Sequence, residues 1–304
     1  MKRVFYFIVV NIAILLVLSI FLSLTGFTGI LQSNGIDLDY DSLMLFSLVF
    51  GMGGSFISLY MSKWMAKSMA GVKVINNPSN EFEHWYFNVV KDQSTALGIK
   101  MPEIGIFNTS QPNAFATGAS KNSSLVALST GLISSMNRDE IEAVIGHEMS
   151  HVANGDMVTL SLIQGIVNAF VIFFSRVIGH FVDRVILKNE RGYGIGYFFT
   201  VIFAQVVLGI LASTIVCWFS RIREFRADIG GAQLTSKSKM IDALKALERQ
   251  VAAPLPDQML AFGISNKGQS SMMQKLFSTH PPLRKRIEAL ENADIHPVTQ
   301  KQYN

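Results

Sequence analysis

Residues 194–220 contain no charged side chain, and three further stretches, 4–25, 42–62 and 157–175, share that character. A helix needs roughly 20 mainly apolar residues to cross a bilayer, so each block is long enough. Lipid offers nothing to pair with backbone N–H and C=O groups, which makes helices the expected form of such runs. Of 304 residues, 49% are hydrophobic and only 16% charged, too apolar for an ordinary soluble domain. Lys2-Arg3 precedes the first block, as in a signal peptide. Its apolar run exceeds the usual core of roughly 7–15 residues and no A-x-A-like site follows, so a retained anchor is expected.

Basic residues suggest an orientation. Lys2 and Arg3 flank the first block, Asp37, Asp39 and Asp41 fill the short loop after it, and Lys63 and Lys67 follow the second. This places both ends of the first hairpin in the cytoplasm. Arg221, Arg223 and Arg226 after the fourth block agree, whereas Arg184, Lys188 and Arg191 between the third and fourth do not, and leave open whether that hairpin fully spans. The net charge of +4 is modest and lies beside the apolar blocks, which suits lipid headgroups and excludes a nucleic-acid surface. The single Cys217 permits no intrachain disulfide.

Four segments follow: an N-terminal transmembrane hairpin (1–62), a first polar part (63–156), a second membrane hairpin (157–220) and a second polar part (221–304). In the first polar part the pattern predicts a helix over 81–98, short strands over 103–107, 113–117 and 124–129, and a helix opened by the capping pair Asn137 and Glu140 and closed by Asn154-Gly155. Helices are expected again over 239–251 and 281–290. The fold class is therefore α+β: a mainly helical membrane protein with about four apolar helices and a polar domain carrying a small sheet.

The helix after Asn137 carries His147-Glu148-Met149-Ser150-His151. Positions i and i+4 share a helix face, so both imidazoles reach one metal ion, and Glu148 sits beside it as general base for a water that zinc activates. Catalytic zinc takes three protein ligands and keeps one position open. Glu224 is the candidate third ligand, because His147 and His151 immediately precede block three and Glu224 immediately follows block four, and a hairpin brings its own ends together. Asp228, four residues on, would accept a hydrogen bond from a ligating imidazole and fix its tautomer. The plainer reading of Glu224, an interfacial ion pair with Arg221 or Arg223, is weaker beside the His-Glu-x-x-His helix.

His147–His151, Glu224–Asp228, Asn113-Ala114-Phe115-Ala116-Thr117-Gly118 and Thr279-His280-Pro281-Pro282-Leu283 together resemble the HtpX-type membrane zinc metalloproteases, bacterial relatives of the endopeptidase that trims prenylated (CAAX) proteins. The resemblance covers almost the whole chain, including the apolar blocks and Met61-Ser62-Lys63-Trp64-Met65. It implies a gluzincin-like, cytoplasm-facing catalytic domain with one Zn2+ per chain, in a multi-pass protein of the bacterial inner membrane. The implied substrates are misfolded or damaged membrane proteins, cut as part of envelope quality control beside other membrane proteases. Asn113 and Ala114 match the substrate-binding edge strand of gluzincins, with Phe115 turned to the core. His280 and Arg286 are candidates for the donor that steadies the oxyanion, although Ser278, Thr279 and the two prolines also read as an ordinary helix start. A narrow-specificity peptidase and a non-catalytic membrane chaperone scaffold are the alternatives; an intact Glu148 speaks against the scaffold.

Overall fold

The computed structural model describes residues 39–190, 192–251 and 278–297. The apolar block 4–25 and the basic residues Lys2, Arg3 and Arg191 lie outside them. The elements in chain order are α1 (Tyr40–Ser68), β1 (Lys73–Val74), α2 (Glu81–Leu97), β2 (Glu103–Phe107), β3 (Ala114–Ser120), β4 (Ser123–Ser129), α3 (Thr130–Ser135), α4 (Arg138–Asn154), α5 (Asp156–Phe181), a π-helical turn (Val182–Ile186), α6 (Ile195–Leu234), α7 (Lys237–Val251) and α8 (Leu283–Asn292). The chain divides into two compact units, one from the residues up to Ser58 with Leu160–Val216, the other from Leu59–Thr159 with Cys217 onward.

The first unit is built from the apolar parts of α1, α5 and α6. Among the described residues three helices are long and apolar enough to cross a membrane: Tyr40–Ser68, Asp156–Ile186 and Ile195–Leu234. Leu45, Val49, Phe50, Phe198, Phe199, Ile202, Phe203 and Leu211 are exposed on them. In water such a surface would be an aggregation hazard; in a bilayer it is the surface lipid covers. Small residues let the helices touch. A Cβ on Gly51 would lie 2.5 Å from the Ala169 backbone nitrogen, and one on Gly165 would lie 2.6 Å from the Met52 sulfur. Arg176 lies over the Phe46 ring at 4.8 Å.

In the second unit a four-stranded sheet has the order β1-β2-β4-β3. β2 and β4 pair in parallel, Glu103 opposite Leu125 through Phe107 opposite Ser129. After β2 the chain crosses to the far edge, forms β3, and returns through a tight hairpin into the middle as β4, antiparallel to β3. Gly118 marks a bulge at φ 145, and a Cβ there would meet the Ser123 carbonyl oxygen at 2.2 Å, so only glycine fits. β4 has no exposed face: Leu125, Val126, Ala127 and Leu128 are all at 0% exposure. One side packs on Tyr86, Val90 and Leu97 of α2 and Ile141, Ile145 and Met149 of α4. The other packs on Phe107, Val72 and Ala66, with Phe115 against Phe107.

α4 has the ends its sequence predicts. The Asn137 side chain accepts from Glu140 N–H, the Glu140 carboxylate accepts from Asn137 N–H, and Gly155 closes the helix in the left-handed conformation. Asp156 then opens α5 at once. α4 crosses the end of α6 through glycine: a Cβ on Gly231 would lie 2.9 Å from His147 N, and one on Gly230 would lie 2.1 Å from Ser150 Oγ. Gly231→Ala is therefore expected to force the two helices apart and to cost about 1–3 kcal/mol. Thermal unfolding checks this, and an unchanged midpoint would contradict the close crossing.

The last helix starts later than the pattern suggests. α8 begins at Leu283 behind Pro282, which provides no side-chain cap, rather than at Pro281. β1 and the short α3 carry too few residues for a readable period.

Candidate metal centre

His147 and His151 project from α4, and Glu224 and Asp228 from α6. The two Nε2 atoms are 3.2 Å apart. Glu224 faces both, Oε2 at 3.5 Å from His147 Nε2 and Oε1 at 3.3 Å from His151 Nε2. The other ring nitrogens are already committed. His147 Nδ1 is 2.9 Å from Asp228 Oδ1, and His151 Nδ1 is 2.7 Å from Asp156 Oδ2. A carboxylate only accepts, so each Nδ1 carries the proton and each Nε2 presents a lone pair. In the neutral form, two lone pairs and a carboxylate thus converge on one point.

That arrangement fits a cation. Ligands about 2.0–2.1 Å from a tetrahedral zinc stand about 3.3–3.4 Å from one another, close to the three separations here. Charge agrees as well: the carboxylates of Glu148, Asp156, Glu224 and Asp228 gather around the two imidazoles, with the guanidinium groups of Arg223 and Arg286 beside them, surroundings that suit a cation. Without metal the same pull draws in protons. Burial alone would lower the pKa of His151, yet the Asp156 and Glu224 carboxylates hold it up at about 9. Burial likewise opposes protonation of His147, and Asp228 and Glu224 again override it.

Arg286 on α8 locks the acidic residues in place. Its Nε donates to Asp228 Oδ2 at 2.7 Å and its Nη2 to Asp228 Oδ1 at 2.5 Å, a two-pronged bond, while Nη1 lies 3.2 Å from Glu224 Oε2. All three side chains are buried. His280 reaches Glu224 Oε2 through Nδ1 at 2.7 Å, with its side chain 64% exposed. The segment bearing it is held by Arg221 Nη1, which donates to the Ser278 carbonyl at 2.8 Å. Arg223 donates to the Asp156 carbonyl and Ser220 Oγ. Glu148 is half-buried and near enough to act electrostatically on His151 and Arg286.

β3 is the sheet edge beside α4. Ser129 N–H donates to the Asn113 carbonyl at 2.9 Å, and Asn113 N–H donates to Ser129 Oγ at 2.9 Å. Bonding alternates along an antiparallel ladder, so Ala114 and Ala116 turn their backbone N–H and C=O groups to the edge that has no strand partner among the described residues.

His147, Glu148, His151, Glu224, Asp228, His280 and Arg286 therefore meet in one place, with Ala114 opening the edge strand of the same unit and Asn113 directly before it. Sequence reasoning missed Asp156 and Arg223. The signal for Asp156 was an acid directly after the Gly155 that ends the zinc helix, where a left-handed turn swings the next residue back towards the last turn of that helix.

A His-Glu-x-x-His helix with a carboxylate facing both imidazoles, beside a sheet edge and in a chain with long apolar helices, defines a membrane-bound zinc metallopeptidase. Residues 82–294 match Peptidase family M48. The chain is 58% identical to Protease HtpX of Thioalkalivibrio sulfidiphilus over 96% of its own length and 99% of that protein. It is 57% identical to a Protease HtpX homolog of Nitrosomonas europaea over 96% of its length and 100% of that protein. The crystal structure of S. mikatae Ste24p shares the fold with a TM-score of 0.55 at 16% identity, over 87% of this chain and 66% of that one. The chain belongs to the M48 peptidase family and is an integral membrane metalloendopeptidase whose cofactor is zinc.

Proposed function

We propose that this enzyme cuts misfolded or damaged membrane proteins at the cytoplasmic face of the bacterial inner membrane, with His147, His151 and Glu224 as the zinc ligands. The observation that carries the reading is the joining of this triad to the free edge of β3 in a chain that also has lipid-facing helices. An unfolded chain is extended and variable in sequence. Recognition through the backbone of Ala114 and Ala116 is tolerant of sequence for the same reason.

Zinc, when bound, polarises the scissile carbonyl and makes water acidic enough to be deprotonated near neutral pH. Glu148 takes that proton as water attacks and then delivers it to the leaving amine. Asp228 holds His147 in the tautomer that leaves Nε2 free, and Arg286 holds Asp228 and Glu224. Its guanidinium is spent on those carboxylates, so we assign it a positioning part rather than a bond to the oxyanion. His280, exposed and tied to Glu224, remains the candidate donor to the substrate carbonyl oxygen. The basic residues Lys63, Lys67, Arg221 and Arg226 at the ends of the apolar blocks support a cytoplasmic active site.

The test is cleavage in proteoliposomes of an unfolded membrane protein, with a short soluble peptide as comparison. Zinc-dependent degradation of the unfolded protein at many positions is expected. Cutting of a single short peptide alone would favour the narrow-specificity reading. Ala114→Pro removes an outward N–H at the first residue of an edge strand, where proline is tolerated. It is expected to raise KM for unfolded substrates several-fold while zinc content and the melting temperature stay near the parent values. A parent-like KM would remove the β3 edge from recognition.

A further inference from the structure

The two zinc-binding imidazoles are held in different ways. His147 leans on Asp228, whose charge is answered by the two-pronged bond from Arg286. His151 leans on Asp156, at 2.7 Å, and among the described residues no cation forms a two-pronged bond with that carboxylate: Arg223 donates instead to the Asp156 backbone carbonyl, at 2.8 Å. Asp156 is 3% exposed and stands directly after Gly155, whose φ of 65 turns the chain out of the zinc helix. A buried carboxylate set against the Nδ1–H of a metal-binding imidazole does two things. It fixes the ring orientation and tautomer, and it pushes electron density towards Nε2. Arg223 pins the Asp156 backbone and is itself anchored on Ser220 Oγ at 3.3 Å.

We propose that Asp156, pinned by Arg223, is the positioning residue for His151, and that it sets how tightly the site holds its divalent metal. This rests on His151 being a zinc ligand. The ordinary role for an acid at this place is to stabilise the first turn of α5 through the helix dipole. That role concerns folding and predicts no change in metal affinity once the chain is folded.

The experiment uses full-length, detergent-purified chain carrying Glu148→Gln, which prevents self-digestion. Zinc affinity is measured by competition with a chromophoric chelator, and folding by circular dichroism and thermal unfolding in saturating zinc. Asp156→Ala is expected to weaken zinc binding by about 10–100-fold with a parent-like spectrum. Asp156→Asn keeps an oxygen that accepts from Nδ1–H but loses the charge, so an intermediate loss is expected. Parent-like affinity in folded Asp156→Ala overturns the assignment; should that variant not fold, parent-like affinity in Asp156→Asn does so. Failure of the Glu148→Gln parent to hold one zinc would defeat the metal-site reading itself, which separates the two failures.

Discussion

Replacing Glu148 by Gln is expected to leave zinc in place and to slow peptide-bond hydrolysis by about 10²–10⁴-fold. Gln has nearly the shape of Glu but cannot take up a proton, so the change removes the chemistry and spares the packing. Glu148 is not among the three groups that converge on the metal position, and the capping box and apolar face that hold α4 do not involve it. Metal content should thus match the parent while turnover collapses. Metal analysis beside single-turnover cleavage reads both quantities. Substantial residual turnover would assign the proton transfer to another group, with His280 first in line.

Arg286→Ala is the second large effect, and it appears in stability before activity. The guanidinium is 6% exposed and compensates two carboxylates that are themselves 3% and 1% exposed, Glu224 and Asp228. Breaking a buried ion pair from one side leaves its partner charged and dry, at a cost of about 3–5 kcal/mol. Zinc can answer Glu224 but does not touch Asp228. The loss should therefore be greater without metal than with it. Arg286→Lys should recover little, because an ammonium cannot make the fork that grips both Asp228 oxygens. Thermal unfolding with and without zinc tests this. Equal midpoints for parent and Arg286→Ala in metal-free protein would mean that the Asp228 pair contributes nothing to holding the centre together.

What the sequence made legible follows from how local the physics is. The ends of α4 could be read because Asn137, Glu140 and Gly155 act within a few residues of themselves. The apolar blocks at 42–62, 157–175 and 194–220 could be read because burial in lipid imposes length and composition without reference to any partner. Glu224 was reachable by topology: an apolar hairpin inserted between the His helix and an acidic segment suggests that the two meet, and Glu224 stands within 3.5 Å of both imidazoles. Contacts set by side-chain direction were not legible. Arg286 read as a group available to substrate, because nothing in its own sequence reveals that α8 buries it on Asp228. Asp156 was passed over because the left-handed turn at Gly155, not helical spacing, aims its carboxylate at His151. The order β1-β2-β4-β3, with a parallel pair at its centre, was equally hidden, since strands over 103–107 and 124–129 fit several pairings.

The most direct test of the centre is zinc-edge X-ray absorption on the full-length chain carrying Glu148→Gln and loaded with one equivalent of zinc. Two imidazoles and one carboxylate oxygen are expected at about 2.0–2.2 Å, with the remaining position filled by a light atom from solvent. Glu224→Ala is expected to lose the carboxylate and most of the affinity. A spectrum unchanged by Glu224→Ala, or one showing sulfur from Cys217, would contradict this ligand set.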